Sequence, residues 1–375
     1  MRGRIPFLKL AAADPGVFRE CQQQIRKVIR RGQFILGEEV ERFEKEFAAF
    51  CGARHCVGVA NGTEALQMAL RLSGVRPGAK QEVLTTPLTA SFTAHAVVAA
   101  GARPVFADID PETLLLDPAA ARQRLTGRTA AIVPVHLYGQ CCDLEALQTL
   151  AQEAGCALIQ DAAQAHGTLF KGRPLTDYSD WVTFSFYPTK NLGAWGDGGA
   201  MVTNRAPLAT AARQFRDGGR TQGHVAVSEG INSRLDELQA AILRVHLKRL
   251  RQWNRKRAKL AALYDRLLAQ RTPHRVQRLR RPPQSQSCHH LYVIRTRRRR
   301  ALRDYLARQG IETGVHYAAA LHRQPAFRWL GYPKGAFPAA ERAAREVCSL
   351  PLHPWLTEQE VDRITAAIAR FFERG

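Results

Sequence analysis

One stretch of the sequence decides the predicted fold: residues 184–193, FSFYPTKNLG. A short apolar run predicts a buried strand, which breaks at Pro188 into a turn that carries Lys190. Lysine is a poor core residue, because burying an unpaired ammonium is costly. Desolvation lowers the pKa of such a lysine and frees its amine as a nucleophile, which suits a Schiff base. A lysine after a strand is more often a solvated surface group, so this stretch alone does not decide the function.

A carboxylate occupies a comparable place upstream. Asp161 follows the apolar strand predicted at 157–160, and in open α/β sheets ligands bind beyond the carboxyl ends of the strands. A carboxylate there can keep a pyridine nitrogen protonated, which makes bound pyridoxal 5'-phosphate (PLP) an electron sink. Taken alone, however, Asp161 is better explained as a turn or cap residue.

The rest of the chain has the pattern of an α/β protein. Apolar strands predicted at 56–59, 82–86, 104–107 and 130–135 alternate with helices. Continuous apolar strands of this kind predict a mostly parallel central sheet that is covered by helices on both faces. A long helix predicted at 234–268 joins a large domain, residues 1–245, to a smaller C-terminal α+β domain, residues 246–375.

Composition restricts the possible partners. The chain has 375 residues, is 45% hydrophobic and carries a net charge of +22. Such a charge could attract nucleic acid or an acidic membrane surface. Yet the basic residues are spread along the chain, without zinc-finger spacing or an aromatic-basic RNA motif. A solvated basic face is therefore the better interpretation, and it would also attract anionic ligands. We expect no nucleic-acid partner and no metal site.

The cysteines and the hydropathy indicate a compartment. None of the eight cysteines forms a CxxC pair, and several lie among apolar residues, where cysteine behaves as a small hydrophobe. Such a chain is most simply interpreted as cytoplasmic and reduced. No segment approaches the length of a membrane span, so we expect no membrane partner.

Several motifs together resemble the DegT/DnrJ/StrS aminotransferases. They are the run 161–167 (DAAQAHG), the stretch 185–199, the Asn-Gly-Thr turn at 61–63 and the segment 230–234 (GINSR). The resemblance extends from about residue 31 to the C-terminus. It implies PLP-dependent transferase fold type I and an enzyme that aminates a keto-sugar attached to a nucleotide, dTDP or UDP.

The resemblance also implies a set of cofactor ligands. Lys190 would hold PLP, and Asp161 would bind its ring nitrogen. Gln164 would hydrogen-bond the ring hydroxyl. The residues that resemble the phosphate ligands of the family are Gly62, Thr63 and Ser185. Each is also explained singly as a turn or cap residue, but their joint appearance in this order makes that explanation weak.

Two further residues follow from the resemblance. Asn232 would reach the cofactor phosphate of the neighbouring subunit, which implies a homodimer with shared active sites; alone, it is equally an N-terminal helix cap. Phe92 is the candidate for the aromatic residue that stacks on the ring. The stretch 88–93 is about one residue shorter than the common pattern, and an ordinary core phenylalanine explains Phe92 equally well.

Substrate contacts are suggested by two segments. Residues 316–322 resemble the HYxxxLH segment of the family, which makes His316, Tyr317 and His322 candidates, and Tyr187 is a candidate from the lysine turn. A lone histidine is more often structural than catalytic.

The implied reaction is a ping-pong transamination, with L-glutamate as amino donor and Lys190 as general base. The form FYPTKNLGA at 186–194 together with GDGG at 196–199 resembles the C3 aminotransferases of the family, which implies amination at the C3 carbon of the sugar. The alternatives are a PLP aminotransferase acting on a non-nucleotide ketone such as a keto-cyclitol, and a non-catalytic regulatory or nucleic-acid-binding protein.

Overall fold

The computed structural model describes residues 3–10, 14–221 and 225–373, which form thirteen strands and eleven α-helices. The strands are β1 (His55–Val59), β2 (Glu82–Thr85), β3 (Arg103–Phe106), β4 (Thr129–Val133), β5 (Ala157–Asp161), β6 (Leu169–Phe170), β7 (Arg173–Pro174), β8 (Trp181–Ser185), β9 (Gly199–Thr203), β10 (Gln277–Arg278), β11 (Ser285–Gln286), β12 (Tyr292–Arg295) and β13 (Val347–Leu350). The helices are α1 (Pro15–Arg31), α2 (Glu38–Phe50), α3 (Gly62–Leu72), α4 (Ser91–Ala99), α5 (Pro118–Arg122), α6 (Leu144–Glu153), α7 (Ala206–Phe215), α8 (Glu237–Arg271), α9 (Arg299–Arg308), α10 (Pro338–Glu346) and α11 (Glu358–Glu373). None of these helices combines the length and the apolar character that a membrane span requires.

Seven of the strands form one sheet in the order β1-β9-β8-β5-β4-β2-β3. Its neighbouring pairs are parallel except those of β9, which runs antiparallel to both β1 and β8. Helices cover both faces. Leu66 of α3 packs with Trp181 on one face, and Phe47 of α2 packs with Phe184 on the other. The predicted α/β fold with a mostly parallel sheet is therefore confirmed.

Three strands of this sheet end close together. Asp161 and Ser185 are the last residues of β5 and β8, which are parallel neighbours. Gly199 of β9 pairs with both Ser185 and Val59. The carboxyl end of β1 therefore also lies at this edge, and α3 begins there at Gly62. The fold thus gathers segments that are far apart in the sequence.

A smaller α+β unit follows the sheet. Strands β10, β12 and β13 form an antiparallel sheet. Its core includes Ile294 of β12, Leu306 of α9 and Ile364 of α11. This agrees with the α+β class predicted for the C-terminal part.

Helix α8 joins the two units without a break over 35 residues. Its first half contributes Leu243 and Leu250 to the core of the large unit, and its second half contributes Leu260 and Tyr264 to the core of the small one. The boundary predicted between residues 245 and 246 therefore falls inside a continuous helix. The helix begins later than predicted because Asp236, its N-cap, has extended backbone angles.

The N-terminal segment packs differently from the prediction. Ile5 pairs with Ile311 and lies fully buried in the core of the small unit, whereas the sequence assignment placed it in the large domain. A short extended stretch carries no periodic pattern that would identify its partner. Ile5 therefore attaches the described residues 3–10 to the small unit.

Candidate active site

The turn after β8 presents Lys190 at the edge where the strands end. The Lys190 N–H donates to the Tyr187 carbonyl oxygen at 2.8 Å. Phe186 is fully buried against the aromatic rings of α2 and anchors the start of the turn. Glycine is required at Gly193, because a Cβ there would lie 2.4 Å from the Pro188 carbonyl oxygen. These contacts give the lysine a defined backbone position.

Lys190 and Asp161 lie close enough to influence each other's protonation. Burial lowers the pKa of Lys190 to about 8, while the Asp161 carboxylate opposes that shift. Burial raises the pKa of Asp161, which is 8% exposed, whereas its hydrogen bonds and the charge of Lys190 act in the opposite direction. A lysine with a pKa near 8 holds a useful fraction of neutral amine at neutral pH, which suits a nucleophile or a general base.

The Asp161 carboxylate is oriented by two donors. Thr93 Oγ1 donates to Oδ2 at 2.8 Å, and the Ala163 N–H donates to Oδ1 at 3.1 Å. Thr89 Oγ1 lies 3.3 Å from Thr93 Oγ1 and supports it. Among the described residues, no basic side chain forms an ion pair with Asp161. Thr93 was not predicted from the sequence, where its only signal is a hydroxyl in the first turn of a helix that follows a strand.

The start of α3 lies against the end of β8. The Asn61 side chain caps the helix by accepting the Glu64 N–H at 2.9 Å. A Cβ on Gly62 would lie 2.7 Å from Ser185 Cβ, so these two residues touch. Thr63 follows in the first turn. The free N–H groups of a helix start, its positive dipole end and a hydroxyl are thus brought together, which suits a phosphate group.

Gln164 connects this edge to the segment that holds His316 and Tyr317. Its Oε1 accepts the Tyr138 N–H at 2.8 Å, and its Nε2 donates to the Tyr317 hydroxyl at 3.1 Å. The Tyr138 hydroxyl in turn donates to the His316 carbonyl oxygen. Burial and the charge of Lys190 lower the pKa of His316 to about 4. His316 is therefore neutral near pH 7 and lies within electrostatic range of the lysine.

Three predicted residues are exposed on the single chain. Phe92 is 64% exposed, with its ring centroid 6.4 Å from that of His95. The residue of this turn of α4 that contacts Asp161 is Thr93. Stacking of the Phe92 ring on the cofactor therefore stays a prediction. Tyr187 is 52% exposed beside the lysine turn, and Asn232 is also exposed.

His322 is enclosed by side chains of its own chain. Its side chain is fully buried, with Nε2 2.9 Å from Glu341 Oε1, and its ring packs against Phe337 at 4.8 Å. The ring is enclosed in this single chain, and a contact between His322 and the substrate stays a prediction. The neighbouring Leu321 is buried in the core against which Tyr317 also packs.

A buried polar network supports the lysine turn from behind. Asn191 Nδ2 donates to Asn254 Oδ1 at 2.9 Å, and Asn191 Oδ1 lies 3.1 Å from His290 Nδ1. Asn254 Nδ2 donates to the His166 carbonyl oxygen at 2.7 Å. Sequence reasoning missed this network, because its members are far apart in the chain and only Asn191 lies next to the lysine.

Comparisons with known proteins cover nearly the whole chain. Residues 17–369 match the sequence profile of the DegT/DnrJ/EryC1/StrS aminotransferase family. The dTDP-3-amino-3,4,6-trideoxy-alpha-D-glucose transaminase of Streptomyces venezuelae is 42% identical, over 99% of this chain and 97% of its own. A protein of Geobacillus stearothermophilus named pleiotropic regulatory protein is 42% identical over 98% of each chain. The crystal structure of S. venezuelae DesV in complex with a ketimine intermediate has a TM-score of 0.95, with 41% identity and 99% coverage of both chains.

Proposed function

Because the chain belongs to the DegT/DnrJ/EryC1/StrS aminotransferase family, we propose that it transfers the amino group of L-glutamate to C3 of a keto-sugar linked to a nucleotide, dTDP or UDP. The chain is a PLP-dependent aminotransferase with the fold of that family, as the sequence predicted. The observation that carries the proposal is the position of Lys190 close to Asp161 at the carboxyl edge of the sheet. The 3-amino sugar named for the S. venezuelae relative supports amination at C3.

The residues at this edge fit PLP. Asp161 is a buried carboxylate without an ion-pair partner among the described residues, which suits the protonated nitrogen of a pyridine ring. Gly62, which lacks a Cβ, lets a phosphate approach the first N–H groups of α3 and the Ser185 hydroxyl. Lys190 supplies the amine that attaches the cofactor. When bound, PLP supplies an electron sink for the α-carbon of the amino donor.

Each side chain has a defined task in this proposal. Lys190 anchors the cofactor and, once the donor has displaced it, its neutral amine takes the α-proton and later returns one. Asp161 holds the proton on the ring nitrogen. Gln164 has two amide hydrogens, so it can donate to the ring hydroxyl as well as to Tyr317. His316 and Tyr317 are proposed to contact the sugar from the opposite side, with Tyr187 at the entrance.

Replacing Gly62 by alanine is expected to weaken PLP binding by about tenfold or more. The added Cβ would lie 2.7 Å from Ser185 Cβ and 3.1 Å from its Cα, so the start of α3 and the end of β8 must separate. Overpacking of this kind also costs about 1–3 kcal/mol of stability. Cofactor titration followed by absorbance measures the loss of PLP affinity, and thermal unfolding measures the loss of stability.

Gly127→Ala is the control for this prediction, because a Cβ at Gly127 meets nothing within 4 Å. Unchanged PLP affinity in Gly62→Ala would remove Gly62 from the phosphate site.

We also propose that two chains form the active sites together. Asn232 is exposed, but the adjacent Ser233 is buried and accepts the Ala60 N–H at 3.2 Å, just beyond β1. Asn232 is therefore held at the surface near the edge that carries the site. Phe34 and Ile35 are 45% and 40% exposed, and a second copy would cover such apolar side chains. The Asn232 amide would then reach the phosphate in the neighbouring subunit.

The state of the cysteines supports a reducing compartment. All eight are free, and six of them are buried. Unpaired thiols are typical of chains that work in the cytoplasm, which is where we propose that this enzyme acts.

The visible absorption spectrum before and after addition of L-glutamate tests the proposed function. We expect a yellow protein that bleaches as 2-oxoglutarate appears and regains its colour when a 3-keto-sugar nucleotide is added. A protein that takes up no PLP would contradict the assignment of these residues to a PLP site. A yellow protein that does not bleach would exclude glutamate as the donor.

The same assay separates the alternatives. Colour regained with a keto-cyclitol but with no sugar nucleotide would favour the non-nucleotide ketone. Salt-sensitive DNA retention by a protein that binds no cofactor would favour the non-catalytic alternative.

A further inference from the structure

A cavity of about 300 Å³ adjoins the turn that carries Lys190. It lies between α1, α8 and that turn, and the described part of the N-terminal segment closes one side. Ligand sites in proteins begin at about this size. Lys190 itself is part of the lining, so the cavity adjoins the proposed reaction centre. None of the residues assigned above to the phosphate or to the ring nitrogen lines it.

The charges in the lining have one sign. Lys9, Lys190 and Arg257 line the cavity, whereas none of its lining residues is an aspartate or a glutamate. Arg257 is only 4% exposed. A guanidinium is seldom buried without a carboxylate, because burying a charge is costly unless it is paired. The cavity therefore places a cation where an anion would stabilise it.

The hydrogen bonds of Arg257 leave one side of the guanidinium free. Its Nη1 donates to the carbonyl oxygens of Leu352 at 2.7 Å and His290 at 3.3 Å. Nε is buried without a partner, and Nη2 makes no hydrogen bond with any described residue. Nε and Nη2 form the fork of parallel N–H groups that binds a carboxylate or a phosphate through two oxygens.

The walls of the cavity are aromatic. Trp195, Trp253 and Trp355 contribute to the lining together with Phe18. The indole Nε1 of Trp195 is buried and has no hydrogen-bond partner, although a buried indole N–H usually finds one. The cavity thus offers apolar ring surfaces, one unused neutral donor and one unused cationic fork.

We propose that this cavity binds an oxyanion of a substrate, a carboxylate or a phosphate, on the free Nε–Nη2 edge of Arg257, with the adjoining part of the substrate against the tryptophan rings. The proposal rests on the proposed function, because that function brings both kinds of oxyanion to Lys190. The carboxylate would come from the amino donor, and the phosphate would come from the nucleotide. Arg257 binds in this scheme and takes no part in proton transfer.

Calorimetric titration of the PLP-loaded enzyme tests this proposal, with 2-oxoglutarate as one probe and dTDP as the other. Arg257→Met keeps the apolar stem but removes the fork, and we expect it to raise the Kd of at least one probe by about tenfold or more. Arg255→Gln is the matched control, because Arg255 is an exposed arginine on the same helix. It should leave both Kd values unchanged.

A second variant covers the case in which Arg257→Met loosens the contacts to Leu352 and His290. Leu10 lines the cavity and is 42% exposed, so Leu10→Trp should narrow the cavity while Arg257 itself is kept. It should raise the Kd of the same probe that Arg257→Met affects.

The two probes distinguish the source of the oxyanion. Weaker binding of 2-oxoglutarate alone would assign the cavity to the donor carboxylate, and weaker binding of dTDP alone would assign it to the nucleotide. Unchanged Kd values for both probes in both variants would overturn the proposal, as would a wild-type enzyme that binds neither probe. A protein that still bleaches with glutamate would then keep its proposed function, whereas one that never bleaches would lose that function independently of this cavity.

Discussion

Lys190→Ala is expected to abolish turnover, with a loss of about 10⁴-fold or more in kcat. General acid–base catalysis alone contributes about 10²–10⁴-fold, and the same substitution removes the covalent attachment of the cofactor. Burial lowers the pKa of Lys190 to about 8, so no ordinary solvent-exposed lysine would match its fraction of neutral amine. A coupled assay for 2-oxoglutarate release under glutamate and sugar-nucleotide saturation measures the effect.

Two observations make this result specific. Lys171→Ala is the control, because Lys171 is exposed and pairs with Glu145 on the surface, and its turnover should match that of the wild type. Lys190→Ala should still take up PLP without covalent attachment, since the proposed ring and phosphate contacts remain. Measurable turnover near the wild-type rate in Lys190→Ala would refute the role of Lys190 as anchor and base.

Asp161→Asn is expected to lower kcat/KM by about 10²–10⁴-fold, which corresponds to about 3–5 kcal/mol. The amide has nearly the same shape but no charge, so it cannot hold the proton on the ring nitrogen. Thr93 and the Ala163 N–H donate to different oxygens of the carboxylate, and the asparagine has only one oxygen. The variant can therefore keep only one of these two hydrogen bonds. Steady-state kinetics with glutamate measure the loss, and Asp180→Asn, at a carboxylate paired on the surface with Arg205, is the control.

The stability of the cofactor-free protein separates catalysis from folding in this variant. Burial raises the pKa of Asp161 in the folded chain. The folded state therefore binds more protons at this group than the unfolded state, and it loses stability as the pH rises above the unfolded value of about 3.9. At neutral pH the asparagine removes that cost but can accept only one of the two hydrogen bonds, so the two effects oppose each other and the cofactor-free variant should unfold close to the wild type. In the kinetic assay, a kcat/KM of Asp161→Asn near that of the wild type would mean that another group holds the proton on the ring nitrogen.

The residues that could be predicted from the sequence lie at the ends of apolar strands. Asp161 and Lys190 each follow such a run, whereas Ser185 was indicated only by the resemblance, and the carboxyl ends of parallel strands must meet at one edge. The sequence therefore indicated their proximity without any knowledge of the partners. Gln164 and Tyr317 meet across 153 residues of chain, and only the resemblance to a family suggested that they share a site.

The contacts that escaped prediction depend on packing between distant segments. Thr93 reaches Asp161 across 68 residues, and a threonine in a first helical turn has many other uses. His322 follows His316 closely in the chain, but burial with Glu341 decides its place. The free edge of Arg257 is visible only when all its neighbours are known, because the sequence shows an arginine on a helix and nothing more.

The uninterrupted helix α8 limits how the enzyme can move. A helix has no soft joint in its interior, so the small unit cannot swing about the middle of α8 without bending it or carrying its first half along. With a rise of about 1.5 Å per residue, a tilt of about 5° at residue 245 would displace the far end by roughly 3 Å. Asn254 and His246 lie on this helix, and they hydrogen-bond to Asn191 and to the Gly193 carbonyl oxygen, which both follow Lys190 in the chain. A displacement of α8 would therefore also shift the groups that hydrogen-bond to the segment directly after Lys190.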